Sequence, residues 1–165
     1  MKTCKLLREQ VAAATGSKKA ELVLKNAQIV NVFTQSVETG DIAIEGGYIV
    51  GIGNYEGITE KDLGGAYVCP GFLDGHIHIE SSMTSPGEFE RAVVPHGTIA
   101  VITDPHEIAN VAGTAGIRFM MQSAQKLDLD VYFMLPSCVP ATDLDESGAE
   151  LLARDLEPFY ADEKV

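Results

Sequence analysis

Three short apolar runs alternate with stretches of helical spacing, and this rhythm restricts the fold more than any other feature of the chain. The runs cover residues 68–78, 98–103 and 131–135. Between the first two, Ser85 can cap a helix, Pro86 suits its first position, and Glu88 falls three residues after the cap. Phe89, Ala92 and Val93 supply its buried stripe, and Gly97 can close it. Between the second and third, residues 108–127 read as mostly helix, weakened in the first half by Gly113 and Gly116. Phe119, Met120 and Met121 read as packing there. A further helical stretch is expected within 149–160, with Leu151, Leu152 and Leu156 on one side. Run 98–103 is almost continuously apolar, the pattern of a parallel strand covered on both faces. The fold class is therefore α/β.

The polar residues gather where these strands end. His76 and His78 sit two apart at the end of the first, so both imidazoles can face one point. Neutral imidazole is a common ligand for a divalent metal, although a bare His-x-His also fits two surface histidines. Asp74 and Gly75 interrupt an otherwise buried run. Glu80 shares the parity of His78. The second strand ends in Asp104, His106 and Glu107, and the third in Pro136, Ser137 and Cys138. Ser81 and Ser82 read as loop residues. Asn110 is a weaker candidate, Cys138 fits a buried filler as well as a reactive thiol, and His96 suits a helix C-terminus.

Residues 3–15 carry Leu6, Leu7, Val11 and Ala14 at helical spacing, stopped by Gly16. Residues 22–53 hold short Val- and Ile-rich runs with a Gly46-Gly47 turn, which indicates antiparallel hairpins. Gly51, Gly53 and Gly57 imitate a dinucleotide loop, but the third glycine comes one residue late and no helix follows. The charged run after them reads as loop.

Two stretches carry a family resemblance. One is His76-Ile77-His78-Ile79-Glu80-Ser81-Ser82, preceded by Pro70-Gly71-Phe72-Leu73-Asp74-Gly75; the other is Asp104-Pro105-His106-Glu107-Ile108-Ala109-Asn110-Val111. Together they resemble the metal-dependent amidohydrolases and, within them, the bacterial adenine deaminases, over about residues 20–165. The resemblance implies a partial TIM-like (β/α)8 barrel preceded by part of a small β-sandwich. Residues 1–19 would be an N-terminal helical segment and 20–67 the N-terminal half of the flanking sandwich. Residues 68–165 would be the first three βα units of the barrel, ending before strand four.

The same resemblance implies hydrolytic deamination of adenine to hypoxanthine and ammonia by metal-activated water. His76 and His78 would be metal ligands, and Glu80, Asp104, His106 and Glu107 would be catalytic, with individual roles open. The cofactor would be a divalent metal, manganese or iron favoured over zinc, as one ion or two. Further ligands usual in the superfamily lie outside these residues, so the 165 residues alone are expected to be inactive; with the third strand at an open edge and only half of the sandwich present, they are also expected to be poorly soluble. A longer chain would be a homo-oligomer. The alternatives are an amidohydrolase opening a cyclic amide, such as a dihydropyrimidinase or hydantoinase, and a non-catalytic metal-binding domain.

Charge narrows the partners. With 12 Lys+Arg against 24 Asp+Glu, the formal net charge is -12. That speaks against nucleic acid and against an anionic membrane surface, and for a small-molecule substrate. His78-Ile79-Glu80 matches half of the motif of the zinc deaminases that act on nucleic acids, but no Pro-Cys-x-x-Cys completes it. Cys4, Cys69 and Cys138 are odd in number and widely spaced, as in a reducing compartment. No leader pattern is read and no apolar run is long enough to span a bilayer, so a cytoplasmic location is expected.

Overall fold

The computed structural model describes residues 3–165, so the first two positions of the 1–19 segment lie outside the described residues. The chain divides into two compact units, one ending at Pro70 and the other spanning Gly71–Val165.

The first unit opens with helix α1, Cys4–Ala14, where Thr3 Oγ1 accepts the Leu6 N–H at 3.3 Å. A five-stranded sheet follows, built from β1 (Ala20–Asn31), β2 (Ser36–Glu45), β3 (Tyr48–Gly53), β4 (Gly57–Asp62) and β5 (Tyr67–Val68). The first three are antiparallel neighbours in the order β3-β2-β1, as the hairpin signals require. Gly46 (φ 58°) and Gly47 (φ 76°) both take positive φ between the paired residues Glu45 and Tyr48, a conformation that matches the strands' twist and favours glycine. The charged run after β3 is not a loop. Its residues Thr59, Glu60, Lys61 and Asp62 form most of β4, which pairs parallel to β1, and β5 pairs parallel farther along the same edge. Hydrophobic periodicity misses β4 because all of it except Gly57 is exposed, and its order comes from the β1 backbone. Ala13, Ala20, Val23 and Ala43 pack in one core cluster, and Ala27, Ile29 and Ile42 in another.

In the second unit, β6 (Phe72–Ile77), β7 (Thr98–Thr103) and β8 (Asp130–Phe133) form a parallel sheet in the order β6-β7-β8. Helices α2 (Pro86–Val93) and α3 (His106–Ala124) connect them. Phe89 of α2 and Met120 of α3 pack with Val101, Val131 and Phe133 of the sheet. Each such buried side chain contributes about 1.5–3 kcal/mol through area removed from water.

Four local expectations are corrected. Ser85 occupies the N-cap position of α2, but its hydroxyl makes no capping hydrogen bond. β7 is not covered on both faces: Val101 is buried, whereas Ile102 keeps 40% of its surface exposed. α3 starts at His106 and is broken at Gly113, whose φ of 57° and ψ of −140° are not helical. The stretch 149–160 contains only a four-residue α4 (Ala153–Leu156) and a 3-10 helix (Glu157–Ala161). Leu151 N–H donates to the Val139 carbonyl at 2.8 Å, which keeps the helix from starting earlier. Pro158 lacks the N–H that an α-helix would need to continue.

Candidate metal centre

The site is built at the C-terminal ends of β6 and β7. Asp74 supplies the first local cause: its Oδ1 accepts the His76 N–H at 3.1 Å. The pairing of β6 with β7 shifts register between Asp74 and Ile77, so the polar interruption coincides with a bulge at the strand end. His78 follows in extended conformation, and the 3-10 turn Ile79–Ser82 begins directly after it. Ile79 is fully buried in the core cluster and anchors that turn.

The two imidazoles meet. Nε2 of His76 lies 3.2 Å from Nε2 of His78, with the rings edge to face at 70°. Asp104 joins them from the end of β7, and one ligand atom from each of the three lies within 4.8 Å of the others. The Asp104 N–H donates to the Ile77 carbonyl at 2.9 Å, which ties the two strand ends together. Oδ1 of Asp104, Nδ1 of His78 and Oε2 of Glu80 are all buried with no hydrogen-bond partner. Buried polar atoms are normally satisfied, so the orphaned Oδ1 of Asp104, beside the paired imidazoles, marks a place where a ligand fits. Two imidazoles and a carboxylate suit a divalent cation.

The remaining candidates surround this group. Oε2 of Glu107 stands 3.1 Å from Nδ1 of His78, off the line of a hydrogen bond, while its Oε1 accepts the Ser81 hydroxyl at 2.7 Å. Partial burial pushes the Glu107 carboxyl up, but the Ser81 hydroxyl, its own backbone N–H and the His78 and His106 imidazoles together hold it below the usual carboxylate value. Nδ1 of His106 lies 3.7 Å from Oδ2 of Asp104. Oε1 of Glu80 accepts the Ile108 N–H at 3.2 Å.

Other residues stand apart from this chemistry. Ser82 donates to the Ile79 carbonyl at 2.6 Å, a loop contact. Asn110 uses its carbonyl to accept Gly148 N–H and the Ser147 hydroxyl. Cys138 is an exposed free thiol, and His96 is exposed in the 3-10 helix Val94–His96. Sequence reasoning read Asp104 as a catalytic group and did not group it with the histidines. Pro105 hid the relation, because parity cannot be carried through a turn. It also missed the link from Ser81 to Glu107, for which the sequence holds no signal.

A family model described as "Amidohydrolase family" matches residues 67–165, more than half of the chain.

The chain belongs to the amidohydrolase family.

The adenine deaminase 2 of Carboxydothermus hydrogenoformans is 56% identical over 161 residues, covering 98% of this chain and 28% of that protein. The adenine deaminase of Geobacillus kaustophilus is 57% identical over 159 residues, with 96% and 28% covered. That of Listeria monocytogenes is 49% identical over 167 residues, with 100% and 29% covered. This amidohydrolase chain thus spans less than a third of the length of these relatives. Among solved structures, the N-acyl-D-glutamate deacylase of Bordetella bronchiseptica, complexed with zinc and a phosphonate inhibitor, superposes with a TM-score of 0.57 at 16% identity. The match covers 85% of this chain and 34% of the deacylase. That likeness bears on the α/β fold alone. No helix among the described residues is long and apolar enough to cross a membrane.

Proposed function

We propose that this amidohydrolase chain is the metal-holding N-terminal part of an adenine deaminase. The observation that carries the reading is the meeting of His76, His78 and Asp104 at the ends of two adjacent parallel strands. The adenine deaminases that match nearly the whole chain supply the substrate. On this reading Gly71–Val165 belongs to a (β/α)8 barrel and the five-stranded sheet to a small β-sandwich. The complete protein is a cytoplasmic homo-oligomer.

The reaction adds water across C6 of adenine and expels the amino group as ammonia, leaving hypoxanthine. The C6–O bond forms, one proton of the water goes to ring nitrogen N1 and the other to the amino nitrogen, and the exocyclic C6–N bond then breaks. His76, His78 and Asp104 would hold the cation, which would acidify water enough to make a nucleophile near neutral pH. Manganese or iron fits a donor set that includes a carboxylate, and one ion or two can be accommodated by the full protein's further ligands.

The chain's own residues then divide the remaining work. Glu107, held as a carboxylate by Ser81, orients the His78 ring through Nδ1. His106, beside Asp104, is the group available to carry a proton between water and the purine nitrogens.

The test is a full-length preparation assayed for ammonia release across adenine, other purines and cyclic amides. Metal content is measured beside it for His76→Ala, His78→Ala and Asp104→Asn. Adenine turnover with metal lost in the variants is expected. Turnover of a cyclic amide with adenine untouched defeats the substrate assignment, and unchanged metal content in all three variants defeats the site.

A further inference from the structure

Helix α3 begins without a cap of its own. Pro105 occupies the N-cap position and has no side chain able to accept a hydrogen bond. The first turn of any helix leaves N–H groups without partners. Here the Ile108 N–H is satisfied from another element, by Oε1 of Glu80 at 3.2 Å. Glu80 lies in the turn that starts just after His78, and that turn is fixed by the buried Ile79.

The break at Gly113 gives this contact its weight. With non-helical φ and ψ there, residues 106–112 are not a rigid extension of the rest of α3. A half-helix this short does not hold its own orientation in water. Its far end is gripped by the loop after β8, where the Asn110 carbonyl accepts Gly148 N–H at 2.8 Å and the Ser147 hydroxyl at 2.9 Å. Its near end is gripped by Glu80. The half-helix carries His106 and Glu107, the two groups that approach Asp104 and His78.

We propose that Glu80 is a positioning residue: by capping the first turn of α3 it sets where His106 and Glu107 stand relative to the His76–His78 pair. The proposal rests on the adenine deaminase reading for its activity readout only. It assigns Glu80 an acceptor's task, not a proton carrier's. A glutamine at this position keeps a carbonyl oxygen for the Ile108 N–H and loses the charge. An alanine loses both.

The experiment compares Glu80→Gln and Glu80→Ala in the full-length protein, by adenine turnover, bound metal and amide exchange at Ile108. Glu80→Ala is expected to speed exchange at Ile108 roughly tenfold or more, the worth of a hydrogen bond to a charged group. Its kcat should fall about a hundredfold, as misplacement of reacting groups by about an ångström does. Glu80→Gln is expected to restore protection at Ile108 and to keep kcat within about threefold of the parent, since neutral acceptors hold caps nearly as well. If Glu80→Gln is as slow as Glu80→Ala while Ile108 stays protected, the carboxylate acts on the chemistry and the positioning role is wrong. It is equally wrong if Glu80→Ala leaves exchange and kcat unchanged. Absence of adenine turnover in the parent protein would count against the proposed function, and the exchange comparison would still decide the capping role.

Discussion

Oε2 of Glu107 stands 3.1 Å from Nδ1 of His78, on the opposite side of the ring from the Nε2 that faces His76. A histidine that binds metal through one nitrogen commonly offers the other to a carboxylate, which fixes the ring and its tautomer. Glu107 is itself fixed, because the Ser81 hydroxyl holds its other oxygen. Replacing Glu107 should therefore weaken metal binding without removing a ligand. Glu107→Ala is expected to lower the affinity for manganese or iron about 10–100-fold, and Glu107→Gln by less. Calorimetric titration of the apo full-length protein checks this. Equal affinities for parent and Glu107→Ala would show that the contact does not orient the ring.

The first unit carries a pH dependence of its own. Asp41 is buried and is bound by Lys25 Nζ at 2.5 Å, with the backbone N–H groups of Asn26 and Tyr55 as further donors. The Lys25 hydrogen bond outweighs burial and holds the Asp41 carboxyl below its ordinary value near 3.8. A group depressed on folding stabilises the folded state fully above its unfolded pKa and loses that contribution as pH falls through the folded one. Acid should therefore remove the Asp41 contribution only below about pH 4. Lys25 is raised, so its share is full below its unfolded value of 10.5 and fades as pH rises through the folded one. Circular dichroism melts from pH 2 to pH 7, with Asp41→Asn as the control, test the acid limb. Asp41→Asn should flatten it, and an unchanged slope would place the acid sensitivity elsewhere.

Gly113 should resist substitution for two reasons that add. Its φ of 57° with ψ of −140° lies where side-chain-bearing residues rarely go, and a Cβ there would meet the Ala149 Cβ at 3.1 Å. Gly113→Ala is expected to cost about 1–3 kcal/mol. A gain in stability, as usual for Gly→Ala in a regular helix, would mean that α3 runs unbroken in solution. Chemical denaturation of the full-length protein distinguishes the two.

The α/β rhythm and the three strand positions of the second unit were legible because buried parallel strands need apolar runs. The His76–His78 pairing was legible because parity along a strand is a local property. β4 was not, since an exposed strand borrows its order from β1 and carries no apolar signature. The membership of Asp104 was not legible either: it depends on the register between β6 and β7, shifted by the bulge that Asp74 caps. Glu80 could be placed near the site by spacing, but its bond to Ile108 N–H spans 28 positions and is a tertiary fact.

The sheet of the second unit has one face turned away from α2 and α3, and that face exposes apolar side chains on all three strands, with the Asp130–Lys164 pair at its β8 margin. Leu73 is 72% exposed, Ile102 40% and Tyr132 42%, one on each strand. The outer edge of β8 is only partly occupied, through the Phe133 N–H and the Lys164 carbonyl at 2.7 Å. Contiguous apolar surface of this kind drives association when nothing covers it, and a free strand edge offers hydrogen bonds to another chain. The charge of -12 opposes this only at long range, and salt screens it within about 8 Å at physiological ionic strength. The 165 residues expressed alone should therefore self-associate, bind an apolar dye and aggregate faster as salt is raised. Ile102→Lys with Tyr132→Lys should slow that association by placing charge on the open face. Sedimentation velocity at low and high salt gives the answer. A monodisperse monomer at both, with no dye bound, would show that this face is covered within the chain itself.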